Sequence, residues 1–224
     1  MITVFALIAL GGLIALDATS FGQLMLSRPM IAGTLSGAIV GIPFEGALLG
    51  ALLEALSLGI LPVGAARYPE TGTAAVAATG AFGLAAVTVT PAVLLLALTF
   101  GLLWQRLAGL TVILGRYANE RMVRAGRPGP ARMDRLIEHR HLETMALDIM
   151  RGMLLTSLAL LVGVPLLRFA VPYWTLPHTA AASAVAIATA AVLAGTAPLF
   201  AESRRGRLML LAGVVCASLI LFSR

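Results

Sequence analysis

The residues best suited to chemistry lie in the stretch GALLEALSLGILPVGAARYPETG, residues 50–72. Glu54 stands in the middle of an apolar helical pattern, Pro62 interrupts that pattern, and a second acid, Glu70, follows. An ionised carboxylate that faces hydrocarbon is energetically unfavourable, so an acid at such a depth is expected to face a polar cavity or a charged partner. Glu54 is therefore the first candidate for binding a polar substrate or a proton.

The composition predicts that these acids lie within a membrane. Hydrophobic residues make up 59% of the 224-residue chain and charged residues 12%, and the mean hydropathy is +0.97. Soluble domains contain about a quarter charged residues. About 20 apolar residues cross a bilayer as a helix. In this chain, apolar runs occupy residues 2–16, 29–44, 71–105, 152–167, 169–201 and 208–223. We therefore predict an all-α, polytopic membrane protein, in which the run 71–105 holds two helices.

The basic residues predict how the chain is oriented. All 16 are arginine; seven lie between residues 116 and 140, and three lie between residues 204 and 207. Because arginine is concentrated in the cytoplasmic loops of membrane proteins, both clusters are expected on the cytoplasmic side. This topology accounts for the positive charge, and we predict no nucleic-acid partner.

The sequence contains no motif of the common enzyme, nucleotide-binding or metal-binding classes. The single cysteine, Cys216, excludes an internal disulfide and a cysteine metal site. No phosphate-binding loop, dinucleotide fingerprint, GxSxG motif or HExxH motif is present. We therefore predict no catalytic residue, cofactor or metal in this chain by itself. No basic residue precedes the first apolar run, so that run is expected to be a retained helix and not a cleaved signal peptide.

Small residues recur at spacing four along residues 29–61. Residues at this spacing share one helical face. The first set is Gly33, Gly37 and Gly41; the second is Gly46 and Gly50, followed at the same spacing by the acid Glu54. Such faces let two backbones approach closely. The first helix would rise only about 20 Å, which is too short for a hydrocarbon core of about 30 Å, and Pro43 separates it from the second helix.

These features predict a re-entrant hairpin of two short helices over residues 29–61, opened by Arg28 and Pro29. Broken helices at membrane depth must be covered by protein or line a water-filled cavity, and transporters build substrate sites from them. The alternative is that the glycines mark ordinary helix packing. For Asp17 the alternatives are a role at the end of the first helix or an ion pair with Arg28, and Arg28 could equally anchor the membrane interface. For Glu70 the alternative is a favourable position at the N-terminus of the next helix.

Residues 107–143 differ in character from the rest of the chain. Apolar residues keep helical spacing there while arginine and glutamate occupy the other face, which predicts an amphipathic arm on the cytoplasmic side. We therefore divide the chain into a membrane core of residues 1–106 that contains the hairpin, the arm of residues 107–143, and C-terminal transmembrane helices in residues 144–224.

The ordered set of motifs resembles the membrane IIC component of the mannose, fructose and sorbose family of the phosphoenolpyruvate-dependent sugar phosphotransferase system (PTS). The resemblance extends over about residues 5–165. Its motifs are Asp17 closing the first helix, Arg28-Pro29 opening the hairpin, Leu53-Glu54 in the second arm, Val63-Gly64-Ala65, and Pro69-Glu70. Residues 116–126 and 141–151 are similar to the arm of that family and to the helix that follows it.

The resemblance implies a sugar-translocating subunit in a bacterial inner membrane, which belongs to a phosphotransferase complex without being catalytic itself. Its implied partners are a membrane IID component and cytosolic IIA and IIB components, arranged as a trimer of IIC–IID pairs. It also implies a hexose-type sugar that moves with a core domain and is phosphorylated by IIB. A carboxylate accepts strong hydrogen bonds from sugar hydroxyls. The implied substrate-binding residues are Glu54, Glu70, Asp17, Gly64, Ala65 and Pro69.

Three features depart from the family pattern. Ile42 follows Gly41 where an aspartate is usual, Glu70 replaces an aspartate, and the chain ends at Arg224, about one helix earlier than expected. Two alternative functions therefore stay open. One is a membrane scaffold or regulator of the same fold that transports nothing, and the other is an ion-coupled secondary transporter that uses Glu54 and Asp17 as protonation sites.

Overall fold

A computed structural model describes residues 1–58, 69–85, 88, 90–125, 133–174, 176–177, 179–180, 183, 186 and 203–222. The described residues form seven α-helices and one short 3-10 helix, and no strand occurs among them. The helices are α1 (Ile2–Thr19), α2 (Pro29–Val40), α3 (Pro43–Ser57), α4 (Thr71–Ala85), α5 (Pro91–Ala125), α6 (Met133–Ala170) and α7 (Arg204–Phe222); the 3-10 helix is Val171–Tyr173. The predicted all-α class is confirmed, and the run 71–105 is divided between α4 and α5 as expected.

Helices α2 and α3 form the predicted hairpin. They contain 12 and 15 residues, so α2 rises only about 18 Å. Gly41 ends α2 in the left-handed region at φ 82°, and Pro43 occupies the first turn of α3, where its missing N–H leaves no hydrogen bond unmade. The chain therefore reverses direction within two residues, Gly41 and Ile42.

Four of the predicted glycines lie where the two hairpin helices touch. A Cβ atom added to Gly33 would overlap the carbonyl oxygen of Gly46, and one added to Gly46 would overlap that of Gly33. Gly50 meets the backbone of Pro29 and Met30 in the same way, and Gly37 meets that of Ile42 and Pro43. The backbones of α2 and α3 are therefore in close contact at Gly33, Gly37, Gly46 and Gly50. Gly41 differs, because nothing lies within 4 Å of its added Cβ, and its role is conformational.

Helix α4 is the centre of the core. Twelve of its 15 residues are buried, and it packs against α1, α2, α3, α5 and α6. Its sequence is dominated by alanine, glycine and threonine, so five neighbours can approach its backbone closely. The buried hydroxyl of Ser36 donates a hydrogen bond of 3.0 Å to the carbonyl of Val76 and fixes the hairpin against α4.

In the part of the chain that the structure describes, three helical stretches are long and apolar enough to cross a membrane: Ile2–Thr19, Pro91–Arg121 and Glu138–Tyr173. The predicted boundaries between the three regions, after residues 106 and 143, fall inside α5 and α6, and neither helix is interrupted there. The division into three regions stays a prediction. The turn expected at residues 126–130 lies outside the described residues.

Candidate functional site

Glu54 closes the open end of the hairpin. Its Oε1 lies 3.4 Å from Nη1 of Arg28, and its Oε2 accepts a hydrogen bond of 3.2 Å from the backbone N–H of Met30. Met30 is in the first turn of α2, where free backbone N–H groups attract a carboxylate. The side chains of Glu54 and Arg28 are 27% and 50% exposed. Glu54 thus faces a charged partner at an accessible position, as its place in an apolar helix predicts.

Asp17 organises the loop of residues 20–28 that joins α1 to the hairpin. Its two oxygens accept hydrogen bonds from the backbone N–H groups of Leu24 (2.6 Å) and Ser27 (2.8 Å), and the residue is 5% exposed. Asp17 therefore has the helix-end role. The ion pair with Arg28 considered from the sequence does not form, since Arg28 faces Glu54.

The loop of residues 20–28 has an unusual backbone. Gly22, Gln23 and Met25 have φ values of 91°, 48° and 66°, and residues with a Cβ atom adopt this region at an energetic cost. The hydrogen bonds to the buried Asp17 hold the chain in this conformation. Asp17 thus binds the backbone within this loop, and Glu54 binds Arg28 and the backbone N–H of Met30, where the loop enters α2.

Glu70 is buried and paired with an arginine from a distant helix. Its Oε2 accepts a hydrogen bond from Nη1 of Arg151 on α6, and its backbone N–H donates to the carbonyl of Gln105 at 3.1 Å. Glu70 is 5% exposed and the Arg151 side chain 10%. Glu70 also directly precedes α4, so its position at a helix N-terminus, the alternative considered from the sequence, is found together with the ion pair.

The buried pair belongs to a larger network that the sequence analysis missed. Nε of Arg151 lies 3.4 Å from Oδ1 of Asp148. Oδ2 of Asp148 accepts hydrogen bonds from the hydroxyls of Thr19, at 2.8 Å, and of Ser20. The signal was present in the sequence, because Asp148 and Arg151 are charged residues three apart, on one helical face, beside the uncharged run 152–167.

Several polar atoms of this network are buried and lack a hydrogen bond of good geometry among the described residues. They are Oε1 of Glu70, Nη2 of Arg151 and Oε1 of Gln105. Buried polar atoms are nearly always satisfied in folded proteins, by protein groups or by ordered water. The surroundings of Glu70 are therefore polar and suited to further hydrogen bonding.

The structure places the predicted site residues in two groups. Asp17, Arg28 and Glu54 surround the loop of residues 20–28, whereas Glu70 belongs to the network with Arg151. Pro69 is half-buried next to Glu70. Gly64 and Ala65 lie outside the described residues.

A polar cavity of about 510 Å³ adjoins the network. The end of α1 and the loop after it form one wall, and α5 and α6 form the others. Asp148 and the hydroxyls of Thr19 and Ser20 are part of its lining. The cavity is thus connected to Arg151 and Glu70 through Asp148.

Comparison with known proteins gives two findings. The family described as "PTS system sorbose-specific iic component" matches residues 1–183. A segment of 52 residues is 40% identical to the PTS system sorbose-specific EIIC component of Lacticaseibacillus casei. That segment covers 23% of this chain and 19% of the relative.

Proposed function

The chain belongs to the family of sorbose-specific IIC components of the PTS, and on that basis we propose that it is the sugar-translocating subunit of a PTS permease. The family resemblance inferred from the motifs is confirmed. The proposed reaction is import of a hexose-type sugar, coupled to its phosphorylation by a IIB partner. The observation that carries the proposal is a helical hairpin within the family match whose open end is closed by an accessible acid, Glu54.

The geometry of the hairpin supports a substrate site at its open end. Two helices too short to cross the membrane bring their backbone ends together there, and such ends require polar partners. Glu54 and Arg28 supply an acceptor and a donor side by side at a separation of 3.4 Å. A sugar hydroxyl can donate to a carboxylate and accept from a guanidinium at once. We propose that Glu54 and Arg28 contact the sugar directly.

Glu70 is a second candidate for substrate contact, at a buried position. Because it is buried and held by Arg151, a sugar would have to displace protein groups to bond its Oε2 atom. Its Oε1 atom lacks a partner with good geometry among the described residues and is the atom proposed for substrate contact. Gly64, Ala65 and Pro69 remain candidates through the family resemblance.

The packing supports a cytoplasmic position for the open end of the hairpin. Helix α1 runs antiparallel to α6, since Gly11 meets Thr156 while Thr19 bonds Asp148. Arginine-rich connections are expected in the cytoplasm. If the connection between α5 and α6 lies there, the C-terminal end of α1 also lies on the cytoplasmic side, because Thr19 is bonded to Asp148. Gly72, at the start of α4, meets Ser27 there. At the other end of α4, Arg168 donates to the carbonyl of Leu84.

We propose the partners that the family resemblance implies. These are a membrane IID component, cytosolic IIA and IIB components, and a trimer of IIC–IID pairs in the inner membrane of a bacterium as a multi-pass protein. A cytoplasmic open end supports this assignment, because the IIB component would receive the sugar on that side.

The experiment that tests the function is uptake of labelled hexoses into vesicles that contain the chain with IID, IIA and IIB. We expect the label to appear inside as a sugar phosphate, and only when IIB is present. Glu54→Gln should weaken sugar binding by about 10-fold or more, since a hydrogen bond to a charged group is lost, while membrane insertion stays intact. The matched control is Glu45→Gln in the first turn of the same helix, which should bind sugar like the wild type.

Two results would contradict the proposal. Wild-type sugar binding by Glu54→Gln would remove Glu54 from the site. Accumulation of unmodified solute under a pH gradient, without IIB, would instead support the ion-coupled transporter.

A further inference from the structure

The cavity between α1, α5 and α6 is separate from the residues proposed to contact the incoming sugar. Neither Glu54 nor Arg28 lines it. Its volume of about 510 Å³ lies within the range of small-molecule sites, roughly 300–1,000 Å³. The loop of residues 20–28 contacts both places, because Gln23 lines the cavity and Arg28, at the end of the loop, pairs with Glu54.

The charged groups at the cavity are engaged by other groups of the protein. Asp148 lies 3.4 Å from Nε of Arg151 and accepts hydrogen bonds from two hydroxyls at the end of α1. Arg151 is shared between Asp148 and the buried Glu70. Arg116 also interacts with another group of the chain. Because each of these charges already has a partner, the groups left to bind a ligand are the neutral ones.

Neutral hydrogen-bonding side chains also line the cavity. Gln23 and Asn119 each carry an amide, which presents two donors and an acceptor. The Oδ1 atom of Asn119 is buried and has no hydrogen-bond partner among the described residues. The hydroxyl of Thr144 donates to the carbonyl of Arg140 at 2.9 Å, so its oxygen can accept a further bond. Donors and acceptors placed together in this way suit the hydroxyls of a sugar, each of which both donates and accepts.

The backbone at Gln23 supports a role in binding. Its φ is 48° although it carries a Cβ atom, and residues held in this region cluster at ligand sites. The next residue, Leu24, donates its N–H to the buried Asp17 at 2.6 Å. The fold therefore holds an exposed amide at the cavity in a conformation that glycine would adopt at a lower cost.

From these features we propose that the cavity is a second sugar site, which binds the free, unphosphorylated sugar through Gln23, Asn119 and Thr144. The inference rests on the proposed function, in which a hexose passes from the open end of the hairpin to the cytosolic IIB component. Because one loop contacts both places, a sugar that leaves Glu54 and Arg28 can be held at the cavity before it is phosphorylated. The chain then binds two sugar molecules, one at each site.

The test counts the sugar sites of the full-length chain assembled with IID in nanodiscs of phosphatidylcholine, whose headgroup is not a sugar. Equilibrium dialysis uses labelled mannose, fructose and sorbose. We expect two molecules of at least one of these hexoses to bind per chain, and inorganic phosphate should displace neither. Glu54→Gln should weaken one site and Gln23→Gly the other, each by about 10-fold.

The variants are chosen to separate binding from folding. Gln23→Gly removes the amide and supplies a residue that adopts φ 48° without strain, so the melting temperature should not fall. Asn119→Leu, on α5, should weaken the same site independently. Phe21→Ala is the control, because it shortens an exposed side chain of the same loop outside the cavity lining, and it should leave both sites unchanged.

Four outcomes would overturn the inference. A single sugar site, lost in Glu54→Gln, would leave the cavity without a sugar. A second site that both Gln23→Gly and Asn119→Leu leave unchanged would place that sugar elsewhere. Displacement of the second sugar by inorganic phosphate would assign the cavity to anions. Binding of none of the three hexoses would exclude a sugar site there.

Failure of this inference is distinguishable from failure of the proposed function. Uptake with IIB-dependent phosphorylation, by a chain that binds one sugar, overturns the cavity assignment alone. Sugar binding that Gln23→Gly weakens and Glu54→Gln does not, without IIB-dependent uptake, overturns the proposed transport function alone.

Discussion

Two ion pairs in this molecule join a glutamate to an arginine in very different surroundings. Glu54 and Arg28 meet at 3.4 Å at the open end of the hairpin, with side chains 27% and 50% exposed. Glu70 and Arg151 meet in the interior, with side chains 5% and 10% exposed. The first pair joins residues 26 positions apart, and the second joins residues 81 positions apart.

The difference in burial separates two roles. An exposed pair contributes little to stability, because water screens it, and its atoms remain accessible to a ligand. A buried pair is unfavourable to break, because the remaining charge has no partner and no water. The hairpin pair is thus suited to substrate binding, and the interior pair is suited to fixing α4 against α6.

The largest expected effect is that of Arg151→Met, which leaves Glu70 buried without its cation. Breaking one partner of a buried pair costs about 3–5 kcal/mol, and we expect a large fall in the melting temperature of the detergent-solubilised protein. Removing the second charge in Arg151→Met with Glu70→Gln should recover much of that loss. Arg106→Met, at an exposed arginine of α5, is the control and should melt near the wild type. If the single and double variants melt alike, the pair does not stabilise the fold.

A smaller loss is expected from Gly50→Val, which tests the hairpin to which the exposed pair belongs. An added Cβ at Gly50 would lie 2.7 Å from Cα of Met30, so the two helices must separate. Overpacking of this kind costs about 1–3 kcal/mol, measured as a lower melting temperature. Gly115→Ala is the matched control, because nothing lies within 4 Å of its added Cβ. A melting temperature unchanged by Gly50→Val would contradict the close packing of α2 on α3.

The smallest effect on stability is expected from Arg28→Gln, which removes the cation of the exposed pair. Surface ion pairs contribute about 0–1 kcal/mol, so the melting temperature should hardly change. Sugar affinity measured by titration should nevertheless fall by about 10-fold, since a charged donor is lost. The opposite pattern, a destabilised protein with normal sugar affinity, would assign the pair to the fold and not to the site.

Local features of the sequence predicted the hairpin well. The glycine spacing, the short length of the first arm and the break before Pro43 each depend on neighbouring residues. The structure accordingly has α2 end at Val40 and α3 begin at Pro43. The same reasoning identified Glu54 as an acid that needs a partner, but the identity of that partner was not predictable.

The interior network was not predicted, because its members are far apart in sequence. Asp148 lies only five residues after the predicted amphipathic arm of residues 107–143. In the sequence it is therefore indistinguishable from an ordinary charged residue at a helix end. Its hydrogen bonds to Thr19 and Ser20 depend on the antiparallel packing of α1 on α6, which hydropathy does not specify. For the same reason the sequence could not decide between the two alternatives for Asp17, the role at the end of α1 and the ion pair with Arg28.

The sequence by itself determined that this is a helical membrane protein of the IIC family with a hairpin of two short helices. These properties follow from hydropathy, helix length, glycine spacing and ordered motifs, all of which are local. Only the tertiary structure decided which carboxylates are buried, which arginine each one meets and where a polar cavity forms. The physical reason is that the energy of a charge depends on every element packed around it, and those elements come from distant parts of the chain.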